Sequence, residues 1–245
     1  MAPEPARSPA GSPSEPPAGG SGGPAGSGGA AGGFDVVVLA GGTARRLGGA
    51  SKPNAMARGA RLLDHVLSGL GSLDGLDGLG SPGGPARICV VAPTDVALPD
   101  GILRALEDPP LGGPVAGIAA GLERLARPAP AGQPAGGPAP LTAVMTCDAP
   151  ESWRVLPALA ELMAAPGGHE GAVVRHGDHV QYLLGLYRTG ALARAVAPGG
   201  RPLRDTAVRR ALGGLSVRVL AWPGAAAADL DTWEEIRAWD TLPNP

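Results

Sequence analysis

Residues 39–49, Leu39-Ala40-Gly41-Gly42-Thr43-Ala44-Arg45-Arg46-Leu47-Gly48-Gly49, followed by Lys52, carry the most evident chemical potential in this chain. Glycines let a backbone approach phosphate oxygens and expose N–H donors to them, while Arg46 and Lys52 supply positive charge. The segment is therefore expected to receive phosphate groups, with Arg46 and Lys52 offsetting their charge. The segment is not a P-loop, in which Lys directly follows Gly and precedes Ser or Thr. Nor is it the G-x-G-x-x-G dinucleotide fingerprint. Of 20 basic residues, Lys52 alone is lysine and the rest are arginine. A compact ammonium at a crowded phosphate differs chemically from a planar guanidinium, so this placement singles Lys52 out.

Carboxylates complete the candidate chemistry. Asp148 directly follows a buried apolar run, a good position for Mg²⁺, which takes carboxylate and phosphate oxygens and keeps several waters. Asp231 is the second candidate metal ligand. It also fits a helix cap, since Asp231-x-x-Glu234 has capping-box spacing, yet Thr232-x-x-Glu235 has it too. Sequence leaves both roles open, and Asp229 is a weaker candidate. Glu107 and Asp108 each offer a carboxylate that can accept a pair of adjacent N–H donors. His176 and His179 flank a turn without an evident third metal ligand. Cys147 reads as a small buried thiol.

Buried strands are expected at 34–40, 87–92 and 141–147, each a continuous run rich in β-branched residues. Residues 61–70 place Leu62, Leu63, Val66, Leu67 and Leu70 on one helical stripe. Pro114 is expected to open a helix to about Arg127, Pro157 one to about Ala165, and Pro202 one ending near Gly213. Strands at 171–176 and 180–187 are joined by a Gly177-Asp178 turn. A last strand over 215–220 and a helix beginning near Thr232 complete the pattern. This alternation predicts an α/β fold: a single Rossmann-like three-layer domain, its sheet mostly parallel with an antiparallel hairpin component. In such sheets ligands lie outside the carboxyl ends of the strands, where three of these motifs fall.

With 41 Gly and 28 Pro among 245 residues, the composition needs its own account. Residues 1–33 are almost wholly Gly, Pro, Ala and Ser, which predicts a disordered tail with neither an apolar secretory core nor a twin arginine. The domain is expected over 34–245, with surface insertions at 71–86 and 127–140. A net charge of −2 with no basic run argues against a nucleic-acid partner, and no apolar stretch approaches the ~20 residues of a spanning helix. Two cysteines in apolar runs imply no disulfide framework and fit a cytoplasmic setting.

Taken together, these segments resemble the MobA-like nucleotidyltransferases. The loop L-A-G-G-x-x-x-R-x-G followed by Lys52 is similar to that family's signature. Glu107-Asp108 ahead of Gly112-Gly113-Pro114-Val115-Ala116-Gly117 resembles its acidic residue before a G-P-L-A-G helix start. Thr146-Cys147-Asp148-Ala149-Pro150 resembles its P-C-D-x-P metal segment, Gln181 to Tyr187 its Q-P-L-x-A-L-Y strand, and Asp229 to Glu235 its D-I-D-T-P-E-D segment. Ser51, Pro53, Thr146 and Trp233 depart from the pattern. The resemblance implies Mg²⁺-dependent transfer of GMP from GTP to a phosphorylated acceptor, molybdopterin, with release of pyrophosphate. It implies nucleotide contacts from Leu39, Ala40, Gly41, Gly42, Lys52 and Asp148, catalytic roles for Lys52, Arg46 and Asp148, and metal binding by Asp148 and Asp231, and it favours Asp108 over Glu107 as the carboxylate that reads the paired N–H donors of guanine. Cytidylyl transfer, sugar-phosphate nucleotidyl transfer and non-catalytic NTP binding remain alternatives.

Overall fold

The computed structural model describes residues 1, 33–42, 51–73, 84–128, 137–223 and 227–242. Most of the expected tail, the centres of both insertions, and Arg46 with its neighbours at 43–50 lie outside the described residues.

The chain begins its fold with β1 (Phe34–Leu39), a small hairpin of β2 (Met56–Ala57) and β3 (Ala60–Arg61), and α1 (Leu62–Gly71). Next come β4 (Arg87–Val91), β5 (Leu103–Ala105), α2 (Pro114–Ala126), β6 (Leu141–Thr146) and α3 (Leu156–Ala164). The last part holds β7 (Gly171–His176), β8 (His179–Arg188), α4 (Thr189–Val196), α5 (Val208–Leu212), β9 (Val217–Ala221) and α6 (Trp233–Thr241). Seven strands form one sheet in the order β5-β4-β1-β6-β8-β7-β9. Pairing is parallel throughout except that β8 runs against both of its neighbours, β6 and β7. The α/β class, the mostly parallel sheet and the hairpin component thus match the sequence expectation.

Both faces of the sheet are covered. One apolar cluster joins Val36, Val38 and Met145 to Leu63, Val66 and Leu70 of α1 and Leu156 and Leu159 of α3. On the other face Val115, Ile118 and Leu122 of α2 pack with Val144, Val173, Tyr187 and Leu192. Strands covered on both sides must be apolar on both sides, which is why β1 reads as an unbroken hydrophobic run. Gly121 lets α2 lie close on β1, since a Cβ there would sit 2.7 Å from Val37 Cγ1.

The exception in β1 is Asp35, which is fully buried. Its register partner on the adjacent parallel strand is Arg87. Arg87 donates from Nη2 to Asp35 Oδ2 at 2.8 Å and from Nε to Oδ1 at 3.2 Å. Its other donors reach the carbonyls of Leu125 near the end of α2 and Gly137 near the end of the second insertion. The Ala139 N–H donates to Asp35 Oδ2 at 2.9 Å. One satisfied ion pair therefore ties together two strands, a helix end and the return into β6.

Some expectations are corrected. No helix starts at Pro202: residues 201–207 are irregular and α5 begins at Val208. Their N–H groups point elsewhere, Leu203 donating to Val196 O and Asp205 to Gly112 O, and Asp205 takes a positive φ of 48°. The sequence reading missed α4, a short Ala-rich helix that buries Ala191, Leu192 and Val196, and the three-residue strand β5. Gly71 belongs to α1 rather than to the first insertion, and Leu73 beyond it is buried.

Replacing one member of a buried ion pair leaves the other charged and unpartnered, at about 3–5 kcal/mol. Asp35→Ala is accordingly expected to lower unfolding stability by that amount in urea titrations. An unchanged midpoint would show that the pair does not hold these segments together.

Candidate active site

The chain leaves β1 with partners on either side, β4 and β6, so the carboxyl ends of these three strands frame a crevice. A cavity of about 360 Å³ occupies it. Its lining includes Leu39 at the end of β1 with Gly41 and Gly42 after it, Val91 of β4, and Thr146 at the end of β6 with Cys147 and Asp148 after it. Gly113, Pro114 and Gly117 from the first turns of α2 form a wall, with Leu111, Glu107, Leu183 and Lys52 around the rim. Gly42 and Gly113 adopt φ values of +125° and +85°, conformations that L side chains rarely take. The positive end of a thirteen-residue helix thus faces the space, an arrangement that favours bound phosphate.

Lys52 opens a single 3₁₀ turn, Lys52–Asn54, in which the unusual Pro53 occupies an early, buried position that needs no N–H donor. Its ammonium donates to Asp148 Oδ2 at 2.8 Å and to Asp231 Oδ1 at 2.5 Å. These residues are 96 and 179 positions away in sequence. Two backbone bonds fix the convergence: Cys147 N–H donates to Leu39 O, and Leu230 N–H donates to Asp148 O at 2.8 Å. Burial penalises the ammonium of Lys52, but hydrogen bonds and Coulomb attraction from Asp148 and Asp231 outweigh this and hold its pKa above the usual lysine value. Asp229 stands nearby, its carboxyl pushed up to about 6 by desolvation and then by repulsion from Asp148 and Asp231.

The two open roles of Asp231 separate here. Thr232 is the N-cap of α6: its hydroxyl accepts from Glu235 N–H while the Glu235 carboxylate accepts from Thr232 N–H, a complete capping box. The Asp231 carboxylate instead meets Lys52. Asp148 Oδ1 is buried and has no hydrogen-bond partner among the described residues. An orphaned carboxylate oxygen beside a second carboxylate is a donor set that suits a hard divalent cation. Among the described residues no group of three or more His, Cys, Asp or Glu side chains is arranged to hold a metal. Protein ligands here would be two carboxylates, the remaining positions falling to substrate phosphates and water, as Mg²⁺ commonly binds.

Of the other sequence candidates, Leu39, Gly41 and Gly42 line the cavity, whereas Ala40 is buried in the core and donates its N–H to Val91 O. Asp108 is exposed and is not part of the lining, which Glu107 joins instead. Both carboxylates lie in the irregular segment between β5 and α2, and of the two only Glu107 lines the cavity. Arg46 lies outside the described residues. Val91, Leu111 and Leu183 were not singled out from sequence, being apolar residues without a chemical signature. Both cysteines are buried, and desolvation pushes the Cys89 thiol up to about 12 and that of Cys147 further, so neither is a thiolate. Beyond Asp148 a second cavity of about 110 Å³ is lined by Thr146, Ser152, Gln181 and Asp229 among others.

Comparison with known proteins bears directly on this arrangement. The family model for the MobA-like NTP transferase domain matches residues 36–219. The chain belongs to that family. As a MobA-like NTP transferase it is a nucleotidyltransferase, and the match spans β1 through the middle of β9. It is similar to a molybdenum cofactor guanylyltransferase of Bradyrhizobium sp. (strain ORS 278), 39% identical over 97 residues, which cover 40% of this chain and 42% of that relative. The matched portion thus spans less than half of that relative's length. Its fold is similar to that of molybdopterin-guanine dinucleotide biosynthesis protein A from Archaeoglobus fulgidus, with a TM-score of 0.55 at 19% identity over 84% of this chain and 97% of the other. It is equally similar to 2-C-methyl-D-erythritol 4-phosphate cytidylyltransferase from Thermus thermophilus, with a TM-score of 0.55 at 15% identity over 83% of this chain and 96% of the other. Among the described residues no helix is long and apolar enough to cross a membrane.

The cap assignment yields a stability test. Thr232→Ala is expected to lower unfolding stability by about 1 kcal/mol. Glu235 is held below the usual glutamate range by its bonds to Thr232 and to the Asp231 and Thr232 backbone. Its folded pKa is depressed, so the box stabilises above the ordinary glutamate pKa and loses its effect as pH falls through the depressed value. The wild-type advantage over the variant should shrink across that acidic window. An advantage that persists unchanged there would show that Glu235 is not the partner.

Proposed function

We propose that this MobA-like nucleotidyltransferase is Mg²⁺-dependent and transfers GMP from GTP to molybdopterin, releasing pyrophosphate. The observation that carries the reading is the meeting of Lys52, Asp148 and Asp231 at the edge of a cavity built by strand ends and the α2 N-terminus. Such a reaction brings an acceptor phosphate against the α-phosphate of a nucleotide, so several negative charges must be neutralised and held in line. The partial identity to a molybdenum cofactor guanylyltransferase supports this choice of acceptor and nucleotide.

In this reading the Gly41-Gly42 backbone and the first turn of α2 receive the nucleotide phosphates, and the Lys52 ammonium lies against their negative charge. Asp148 and Asp231 would hold Mg²⁺, which when bound polarises phosphate oxygens and offsets their charge. An acceptor phosphate oxygen forms the new bond to the α-phosphorus while the bond to the bridging α–β oxygen breaks, and pyrophosphate leaves with that electron pair. Glu107, on the cavity wall, takes the base-reading role in place of Asp108, its carboxylate accepting the paired N–H donors of guanine. The smaller cavity beyond Asp148, with Gln181 and Ser152, lies on the side from which an acceptor would approach.

Cytidylyl transfer is the second reading, favoured by the cytidylyltransferase of like fold. Pyrophosphate release measured with GTP or CTP, with and without Mg²⁺ and molybdopterin, separates the two. Release is expected with GTP, dependent on both Mg²⁺ and acceptor; release with CTP alone would sink guanylyl transfer. Lys52→Ala and Asp148→Ala should each lower kcat by about 10³-fold or more, the scale of losing a charge-stabilising group at the reacting centre. Near-wild-type kinetics in a folded variant would remove that residue from the mechanism. Glu107→Gln is expected to raise KM for GTP while leaving kcat within about threefold, the mark of a group that binds the base without acting in the transition state.

A further inference from the structure

Behind the catalytic trio lies a separate cleft of about 230 Å³ that shares no lining residue with the nucleotide cavity. It is walled by α1 through His65, Ser68 and Ser72, by Glu151, Trp153 and Arg154, and by Arg58 and Trp239. Glu151 and Arg154 follow Asp148 within six residues in the chain, yet none of Lys52, Asp148 and Asp231 lines this cleft.

The charges here are unevenly matched. Arg58 is consumed structurally: it lies 4.0 Å over the Trp239 ring, donates to the carbonyls of Trp239 and Leu242, and pairs with Glu151 at 3.4 Å. Glu151 is thereby neutralised. Arg154 has no such match. Its guanidinium lies 4.5 Å over the Trp153 ring, and its Nε is buried without an acceptor among the described residues. No hydrogen bond or ion pair reaches the Arg154 side chain from any described residue. Gly69 allows this presentation, since a side chain on α1 at that position would collide with the Trp153 indole. A stacked guanidinium is held in a defined orientation, and a half-buried one without an acceptor is a charge awaiting its counterion. On the same cleft the Ser68 hydroxyl and the imidazole of His65, whose Nε2–H donates to Ala57 O, add polar groups.

We propose that this cleft binds a small phosphate-type oxyanion, with Arg154 as its principal ligand and Ser68 at its rim. A planar guanidinium fork matches two oxygens of a tetrahedral anion, and the cavity admits inorganic phosphate with a few waters or a compact phosphate ester. With Arg58 and Glu151 cancelling, the cleft carries the net positive charge of Arg154. The proposal does not depend on which nucleotide or acceptor the active site uses.

Trp153 and Trp239 both line the cleft, so intrinsic fluorescence reports its occupancy without reference to activity. Inorganic phosphate is titrated at constant ionic strength into the full chain and into Lys52→Ala, Arg154→Gln and Ser68→Glu, each shown folded by circular dichroism. A saturable change is expected in the wild type and in Lys52→Ala, with the apparent Kd raised about tenfold or more in Arg154→Gln and Ser68→Glu. Ser68 is exposed on α1, so its variant tests the site by repulsion without disturbing the Arg154 stacking. The proposal is overturned if the wild type gives no saturable change, or if chloride reproduces it. It is equally overturned if both cleft variants bind like wild type, or if the response disappears in Lys52→Ala and persists in Arg154→Gln.

Discussion

The Lys52 ammonium stands between Asp148 and Asp231, and the geometry of the whole active-site end follows from keeping these three groups together. Each arrives on a different connection: a 3₁₀ turn after the glycine loop, the turn after β6, and the approach to α6. An ammonium between two carboxylates is electrostatically satisfied, which explains why so much acidic charge is tolerated beside a cavity suited to anions. Asp229 marks the limit of that tolerance. With two carboxylates already present, its own charged form is disfavoured. The Asp148 oxygen that has no partner among the described residues lies in this same acidic cluster.

The sheet makes the convergence possible. Because β1 lies between β4 and β6, its carboxyl end opens at the reversal of strand order, and α2 delivers its N-terminus to the same space. Asp35 and Arg87 work at the other end of the same strands, linking β1 and β4 to the end of α2 and to the segment entering β6. One ion pair thus anchors the amino ends of the strands whose carboxyl ends carry the second. The segment after β6 serves two cavities: Asp148 lines the one at the strand ends, while Glu151 and Arg154 line the polar cleft.

Much of this was legible in the residues. The unbroken β-branched runs located β1, β4 and β6, and Pro114 marked the start of α2. Lys52 stood out as the single lysine of an arginine-rich chain, and Asp148 by its place at a strand end. What escaped had weak or misleading local signals. The α4 segment is short, and its apolar face is mostly alanine. Pro202 carried a helix-start signal, but its surroundings bond across to Val196 and Gly112 instead of along a helix. Asp35 was hidden in an otherwise ideal buried strand, because its partner is on another strand.

The sequence by itself determined the fold class and the chemical types present, since periodicity and strand-end position are local properties of the chain. Tertiary structure decided which groups meet. Whether Asp231 caps α6 or faces Lys52 depended on Thr232 taking the cap and on a backbone bond from Leu230 to Asp148. Whether Glu107 or Asp108 faces the cavity depended on the path of the irregular segment between β5 and α2. Charge pairing across 96 or 179 positions has no local signature, because the energy that selects it exists only once the sheet has brought the segments together.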